Sequence, residues 1–287
     1  MPLLPVSELE RLAPVFRGKA GNAFGEFLRR ILGVKTLSDL NDRISDRKGP
    51  DFAGALLEEL GIDYKLGGSD KLRNLPEGSF ITVSNHPYGS MDGIILVDLI
   101  GHLRPDFKVM VNQFLDMIES LRPTWITVNP KNDLQNEVTG KNIRAVKQVF
   151  KNLKDGHPVG FFPSGAVSDL RLKDFTVRDR EWQESVLRLI QKAKVPIVPV
   201  RFFDRNSRWF YFLGLIDWKI RLLRLPHEVI NKKGRRIRVG IGDILTVEEQ
   251  LRHPDPEDFG KWLRESVYGM EHPSDCIMYS DYKSGRF

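Results

Sequence analysis

Phe80-Ile81-Thr82-Val83-Ser84-Asn85-His86-Pro87-Tyr88-Gly89-Ser90-Met91-Asp92-Gly93 is the stretch on which the reading of this chain turns. A short apolar run ends in Asn85-His86, bends through Pro87 and Gly89, and gives way to Ile94-Ile95-Leu96-Val97. This is the pattern of a buried strand, a tight turn and a helix. Pro87 biases His86 away from helical backbone angles, so His86 belongs at the end of the strand. Gly89 lets the chain bend. Ser90 suits the N-cap, which puts Asp92 in the first helical turn, where a carboxylate is favoured.

His86 and Asp92 stand six positions apart. On one continuous helix that is about 600°, leaving the two side chains roughly 120° apart. Only a turn between them brings carboxylate to imidazole, and this stretch supplies one. An aspartate held against one ring nitrogen fixes the tautomer and frees the other nitrogen to accept a proton. Such a histidine suits general-base work. The same residues also suit a structural histidine and a helix-capping aspartate, and the spacing leaves both readings open.

Outward from this stretch the chain alternates. The expected elements are strand 80–84, helix 91–103, a short strand from Lys108 to Val111, helix 113–121 and strand 125–128. An amphipathic helix through Ile143, Val146, Phe150 and Leu153 and a strand from Pro158 to Phe162 follow. Then come a helix through Trp182, Val186, Leu189 and Ile190 and a strand from Val195 to Phe202, with Pro196 and Pro199 pointing to an edge or irregular course. Strands and helices at this spacing predict an α/β fold with a mixed, largely parallel sheet flanked by helices. Sites in such sheets gather at the carboxyl ends of strands, where His86 and the residues after Val128 and Phe162 fall.

Residues 1–70 read as an N-terminal helical lobe, with apolar stripes at Phe24, Phe27, Leu28, Ile31, Leu32 and at Phe52, Leu56, Leu57, Leu60. Lys65 to Gly78 reads as a loop. Residues 71–287 form the α/β domain, ending in a C-terminal β-hairpin plus helices. The hairpin rests on the run Trp209 to Leu213, a turn at Asn231-Lys232-Lys233-Gly234-Arg235, and alternation at Ile237, Val239 and Ile241. Thr246-Val247-Glu248-Glu249 is a capping box, and Asp255-Pro256-Glu257 starts a final helix before a loosely structured tail.

At 287 residues and 41% hydrophobic the chain can bury a sizeable core, and a net charge of +6 favours anionic partners in general. The single cysteine, Cys276, excludes an internal disulfide framework and a cysteine-rich metal site. A reducing cytosol is expected. Met1 to Glu8 lacks the basic start and apolar core of a signal peptide. No apolar run approaches the ~20 residues of a membrane-spanning helix.

Two further stretches could carry chemistry. Phe161-Phe162-Pro163-Ser164-Gly165-Ala166-Val167-Ser168-Asp169 is again a strand running into a glycine turn. Backbone N–H groups at such a turn can hold an anion or a developing oxyanion, and Ser164 and Ser168 add hydroxyls. Trp125-Ile126-Thr127-Val128-Asn129-Pro130-Lys131-Asn132 ends a strand beside a cation, Lys131. Each also fits an ordinary turn. A basic segment, Lys219 to Arg238, is interleaved with Trp218, Ile220, Leu222, Leu223 and Leu225. It suits an anionic membrane surface, an acidic carrier protein, or simply the charged edges of a hairpin.

Asn85-His86-Pro87-Tyr88-Gly89-Ser90-Met91-Asp92-Gly93 resembles the first motif of the glycerolipid (lysophospholipid, PlsC-like) acyltransferase superfamily. That motif usually spaces His and Asp by four residues, where this chain has five. It is closer to a bacterial, hemolysin-like branch that commonly reads Asn-His-Pro-Phe-Gly-Gly-x-Asp-Gly. Phe162 to Ser168 resembles the family's Phe-Pro-Glu-Gly-x-x-Ser acceptor motif, with Ser164 in place of the glutamate. Val195 to Phe202 resembles its last, apolar motif. Asn129 stands about where phosphatidic-acid-forming relatives carry a phosphate-gripping arginine, a departure that counts against the usual phosphate-bearing acceptor and leaves room for a lyso-lipid with another head group, such as an acylated amino acid.

The resemblance implies a peripheral membrane acyltransferase on the inner face of the cytoplasmic membrane. It implies His86 as general base and Asp92 as its orienter. Asn85, Gly89, Ser90, Lys131, Ser164, Gly165 and Ser168 are the implied substrate contacts, with oxyanion donors near Gly89 or Gly165. The acyl donor is a thioester of acyl carrier protein or coenzyme A, and the acceptor a lyso-lipid hydroxyl. No other cofactor is implied, and no metal, since His86 has no second histidine at ligand spacing. The rival readings are N-acylation of an amino acid in aminolipid synthesis, a serine hydrolase, and a basic protein that binds nucleic acid or another anionic surface without catalysis. No Gly-x-Ser-x-Gly elbow and no nucleic-acid-binding motif supports the last two, so nucleic acid is not an expected partner.

Overall fold

The computed structural model describes residues 18–128, 140–272 and 274–285. The strands are β1 (Asp63–Gly67), β2 (Ile81–Ser84), β3 (Lys108–Asn112), β4 (Trp125–Val128), β5 (Val159–Phe161), β6 (Asp169–Leu170), β7 (Val177–Arg178), β8 (Ile197–Phe202), β9 (Arg236–Ile241) and β10 (Ile277–Met278). Eight of them form one sheet in the order β10-β1-β9-β8-β2-β5-β3-β4, and β6 pairs only with β7. From β4 to β8 every pairing is parallel. β9 runs antiparallel to β8 and parallel to β1, and β10 is antiparallel to β1. The expected mixed, largely parallel α/β sheet is therefore present.

β2 lies at its centre, with all four residues buried between β5 and β8. Covered on both faces, it reads as a continuous apolar run rather than an alternation. One face carries helices Gly49–Glu59 and Ser90–Leu103, whose apolar side chains share a core with Val109, Val198 and Val239. The 90–103 helix is buried from Met91 to Gly101, which is why its sequence is apolar all round. The opposite face carries helices Gly140–Lys154, Glu184–Ala193 and Pro256–Tyr268, packed on Ile81, Val83, Val159 and Ile197.

Several local expectations are corrected. Lys65 to Gly78 is not one loop: β1 occupies its start and a short helix, Ser69–Leu72, follows. Residues 113–121 form no α-helix but two 3₁₀ turns, Gln113–Met117 and Glu119–Thr124, the second interrupted by Pro123. β8 is an interior strand despite its prolines. Between the Val200–Ile241 and Ile197–Leu245 pairings, β8 advances three residues while its partner advances four. The extra residue falls beside Pro199, where a missing N–H is tolerated.

The expected C-terminal hairpin is an antiparallel pair of a different make-up, β8 with β9. Trp209 to Leu213 is helical, and three short helices, Arg208–Ile216, Trp218–Leu223 and Leu225–Ile230, fill the connection. The run of aromatic and apolar residues suited either period, and Ser207, whose side chain accepts from the Phe210 N–H, settles it as an N-cap. The tail is also ordered. β10 is followed by helix Tyr279–Ser284, and the Tyr279 ring stacks on Tyr64 with centroids 4.3 Å apart.

Candidate active site

β2 ends at Ser84 and delivers His86 to the carboxyl edge of the sheet. The N-cap of the following helix is Gly89 rather than Ser90, which is its first residue. Gly89 has φ 82° and ψ −120°, angles that disfavour any side chain, and this sharp bend folds Asp92 back under the turn. Asp92 Oδ2 accepts from the Tyr88 and Gly89 N–H groups at 2.9 and 3.0 Å. It also lies 2.9 Å from His86 Nδ1. Asp92 is fully buried, while the His86 side chain is 18% exposed, so only the imidazole reaches solvent. Burial pushes the Asp92 carboxyl above its ordinary range, and the His86 ring and the two N–H groups offset this only in part.

The rest of His86 is held as firmly. Its N–H donates to Asp179 Oδ1 at 3.1 Å, and its carbonyl accepts from the Ser168 N–H at 2.9 Å. Its ring stacks on Phe162 with centroids 4.2 Å apart. Asp179 is completely buried. It also accepts from Ser168 Oγ at 2.5 Å and Trp182 Nε1 at 3.1 Å. The loop after β5 is thus tied to the loop after β2 through one carboxylate.

A second buried network closes the turn from the other side. Tyr211 Oη donates to the Pro87 carbonyl at 3.1 Å, and Asn206 Nδ2 to the Tyr88 carbonyl at 3.3 Å. Lys232 Nζ donates to Asn206 Oδ1 and Glu228 Oε2 and sits 5.3 Å from the Tyr88 ring centroid. Burial pushes Glu228 up, but the Ser207 hydroxyl and N–H and the Lys232 ammonium overcome it and hold the carboxyl below its ordinary range.

The structure divides the sequence-derived candidates. His86 and Asp92 meet. Ser90 is partly exposed at the helix start beside them. Asn85 is buried, and its amide bridges both ways to Phe202, donating to its carbonyl and accepting from its N–H at 2.8 Å each. It extends the β2–β8 ladder by a side chain. Ser164 is buried and donates to the Ala166 carbonyl at 2.8 Å. The Gly165 N–H donates to the Phe162 carbonyl, and the Gly89 N–H to Asp92. The Ser168 hydroxyl is engaged with Asp179. Lys131 and Asn129 lie outside the described residues.

Of the basic segment, Arg221 and Lys232 are buried, while Lys233, Arg235, Arg236 and Arg238 are exposed. Arg221 is buried against Asp169, Arg224 and Lys232 pair with Glu228, and Arg238 pairs with Asp204. Asp179, Tyr211 and Lys232 were not read from the sequence as site residues. Glu228 and Lys232, at i and i+4, were legible as a helical pair, though not as a buried one. A cavity of about 290 Å³ lined by Asp51, His102 and Lys283 lies at the far end of the 90–103 helix, away from His86. Among the described residues no cluster of metal-ligating side chains is present.

Residues 10–272 match the protein family described as Acyltransferase. A lyso-glycine lipid O-acyltransferase of Bacteroides thetaiotaomicron is 28% identical over 251 residues, 84% of this chain and 88% of that protein. A lyso-glycine lipid O-acyltransferase of Phocaeicola vulgatus is 26% identical over 270 residues, 88% of this chain and 92% of that protein. Among solved structures, the 1-acyl-sn-glycerophosphate acyltransferase PlsC of Thermotoga maritima superposes with a TM-score of 0.47 at 16% identity, covering 93% of this chain and 94% of that one.

Proposed function

The chain belongs to the acyltransferase family, a family of lipid-acylating enzymes, and from that premise we propose that it moves a fatty acyl chain onto the hydroxyl of a lyso-lipid. The two relatives act, by name, on lyso-glycine lipid, which favours an aminolipid acceptor and an oxygen rather than a nitrogen as the acylated atom. The donor is a thioester of acyl carrier protein or coenzyme A. The enzyme works docked on the inner face of the membrane, where its lipid acceptor lies.

The observation that carries this reading is the 2.9 Å approach of His86 Nδ1 to Asp92 Oδ2 at the end of β2. The tautomer that suits this approach carries its proton on Nδ1, beside the carboxylate, so that Nε2 keeps its lone pair and takes the acceptor's hydroxyl proton. The oxygen bonds to the thioester carbonyl carbon, and the tetrahedral adduct collapses by breaking the carbon–sulfur bond. The thiolate leaves and takes the proton back from His86. The thioester is already activated, so no covalent enzyme intermediate is required.

The test is His86→Ala, assayed with purified protein, lyso-glycine lipid and an acyl thioester, the diacylated product being read by mass spectrometry. Loss of turnover by at least about a hundredfold is expected, the usual scale of a general base. Near wild-type turnover in a folded variant rejects the assignment.

A further inference from the structure

We propose that the β6–β7 hairpin and the 208–223 helices form one apolar platform that seats this protein on an anionic lipid bilayer, with the His86 site at its edge. The inference deepens the lipid-acyltransferase reading and rests on it for the nature of the surface.

The platform is one piece. Val167, Phe210 and Tyr211 make a small core of their own, and Leu170, Val177 and Leu225 pack against it. Arg221, from the second helix, lies across the Phe210 ring and donates to the Ser168 carbonyl. The same unit touches the catalytic turn: Tyr211 bonds to Pro87, and a Cβ placed on Gly89 would lie 3.0 Å from Leu225.

Its outer side is apolar without contributing to the fold. Trp209, Phe212 and Ile216 recur at helical spacing and are 52%, 48% and 62% exposed, while Phe210 and Tyr211 face inward. Trp218 follows on the next helix. On the hairpin tip Leu172 is 59% and Phe175 is 74% exposed, and neither joins any of the buried clusters.

Phe175 is the telling residue. It holds φ 52°, a left-handed conformation that is a genuine outlier for a bulky side chain. The turn is fixed around it: Asp174 accepts from the Thr176 N–H and hydroxyl, and the Arg171 N–H donates to the Thr176 carbonyl. Folding gains nothing from a strained aromatic ring held out in water. A bilayer interface would.

Charge selects the partner. Arg171, Lys173 and Arg208 are exposed around these side chains. Of the carboxylates nearby, Asp169 is paired with both Arg180 and Arg221 and Asp204 with Arg238, which sets Asp174 and Asp217 against Arg171, Lys173, Arg208 and the second arginine at Asp169. The rim is therefore net cationic, which fits anionic head groups around an inserted apolar centre.

The experiment uses the full chain and vesicles of equal parts phosphatidylcholine and phosphatidylglycerol, with binding read by flotation and without turnover. Wild type is expected to float with these vesicles and less so as salt rises. Leu172→Asp combined with Phe175→Asp should weaken binding by about tenfold or more. Phe175→Gly is the sharper variant. Glycine accepts the positive φ, so its melting temperature should hold or rise while vesicle affinity falls. Both variants should keep acyl transfer to a short-chain lyso-acceptor dispersed as monomers. Vesicle affinity equal to wild type in either variant overturns the proposal. So does a wild-type dimer that the substitutions dissociate, which would assign the platform to a second copy. Loss of turnover on the monomeric acceptor would assign the hairpin tip to catalysis instead, and also overturns it. Wild type that floats but transfers no acyl group upholds docking and rejects only the enzymatic reading.

Discussion

The acid-base pair sets its own pH dependence. Asp92 is fully buried, and burial holds its carboxyl above the ordinary range against the pull of His86, Tyr88 and Gly89. A carboxyl whose folded pKa is raised binds its proton more tightly in the folded chain than in the unfolded one. Its burial therefore lowers stability at pH values above the folded pKa, and the penalty disappears below the unfolded value. Asn at position 92 can still accept from both backbone N–H groups but carries no charge. Asp92→Asn is expected to be as stable as wild type or more so near neutral pH, with any advantage shrinking on acidification. Turnover should nevertheless fall by roughly 10³–10⁴-fold, because the amide no longer fixes the imidazole tautomer or balances its charge. Thermal melts and rate profiles of both proteins across pH check this. A variant that keeps its activity, or whose stability advantage grows on acidification, contradicts it.

The strand–turn–helix around His86 is the element on which these residues depend, and Gly89 is its most constrained point. Its φ of 82° excludes most side chains, and an added Cβ would meet Leu225 at 3.0 Å and Val167 at 3.1 Å. Gly89→Ala should cost about 1–3 kcal/mol in backbone strain alone. It should also lower turnover more than substrate affinity, since the displaced groups are the N–H donors that hold Asp92 against His86. Denaturant melts with separate kcat and KM values read this, and a neutral Ala variant would show that the bend is not needed. This element was legible because its determinants are local: an apolar run, a proline, a glycine and an early helical carboxylate. What holds it from outside was not. Asp179 and Lys232 come from positions 93 and 146 residues beyond His86. In the sequence each is one charge among many, and only the fold makes it a buried partner. The protein partners of Asn85, Ser164 and Ser168 were not legible for the same reason: a polar side chain beside a motif is as useful to the fold as to a ligand. The run Trp209 to Leu213 suggests a strand of the hairpin but is helical, because dense aromatic runs carry little period of their own.

At the scale of the whole chain, the alternation of strands and helices announced a mixed, largely parallel α/β sheet, but the places of β1 and β10 at its antiparallel edge could not be read from the order of elements. That edge bears on how the molecule is divided. A boundary at residue 70 would separate β1 from the strands on either side of it, β9 in parallel and β10 in antiparallel pairing. Tyr64 and Leu66 are buried there, and Tyr64 donates to Asp98 at 3.0 Å from beneath the 90–103 helix. The 49–59 helix adds Phe52, Leu56 and Leu57, also buried, against the same helix. Burying each such side chain is worth about 1.5–3 kcal/mol, so together they rival the roughly 5–15 kcal/mol of net stability that a domain has. A fragment of residues 71–287 would lose that contribution and expose the unpaired edge of β9, a template for association. The intact chain is therefore expected to melt in one transition, with far-ultraviolet dichroism and tryptophan fluorescence superimposing. The fragment should be expanded or aggregated rather than folded. A fragment with native dichroism and its own cooperative melt would establish the first 70 residues as a separable lobe.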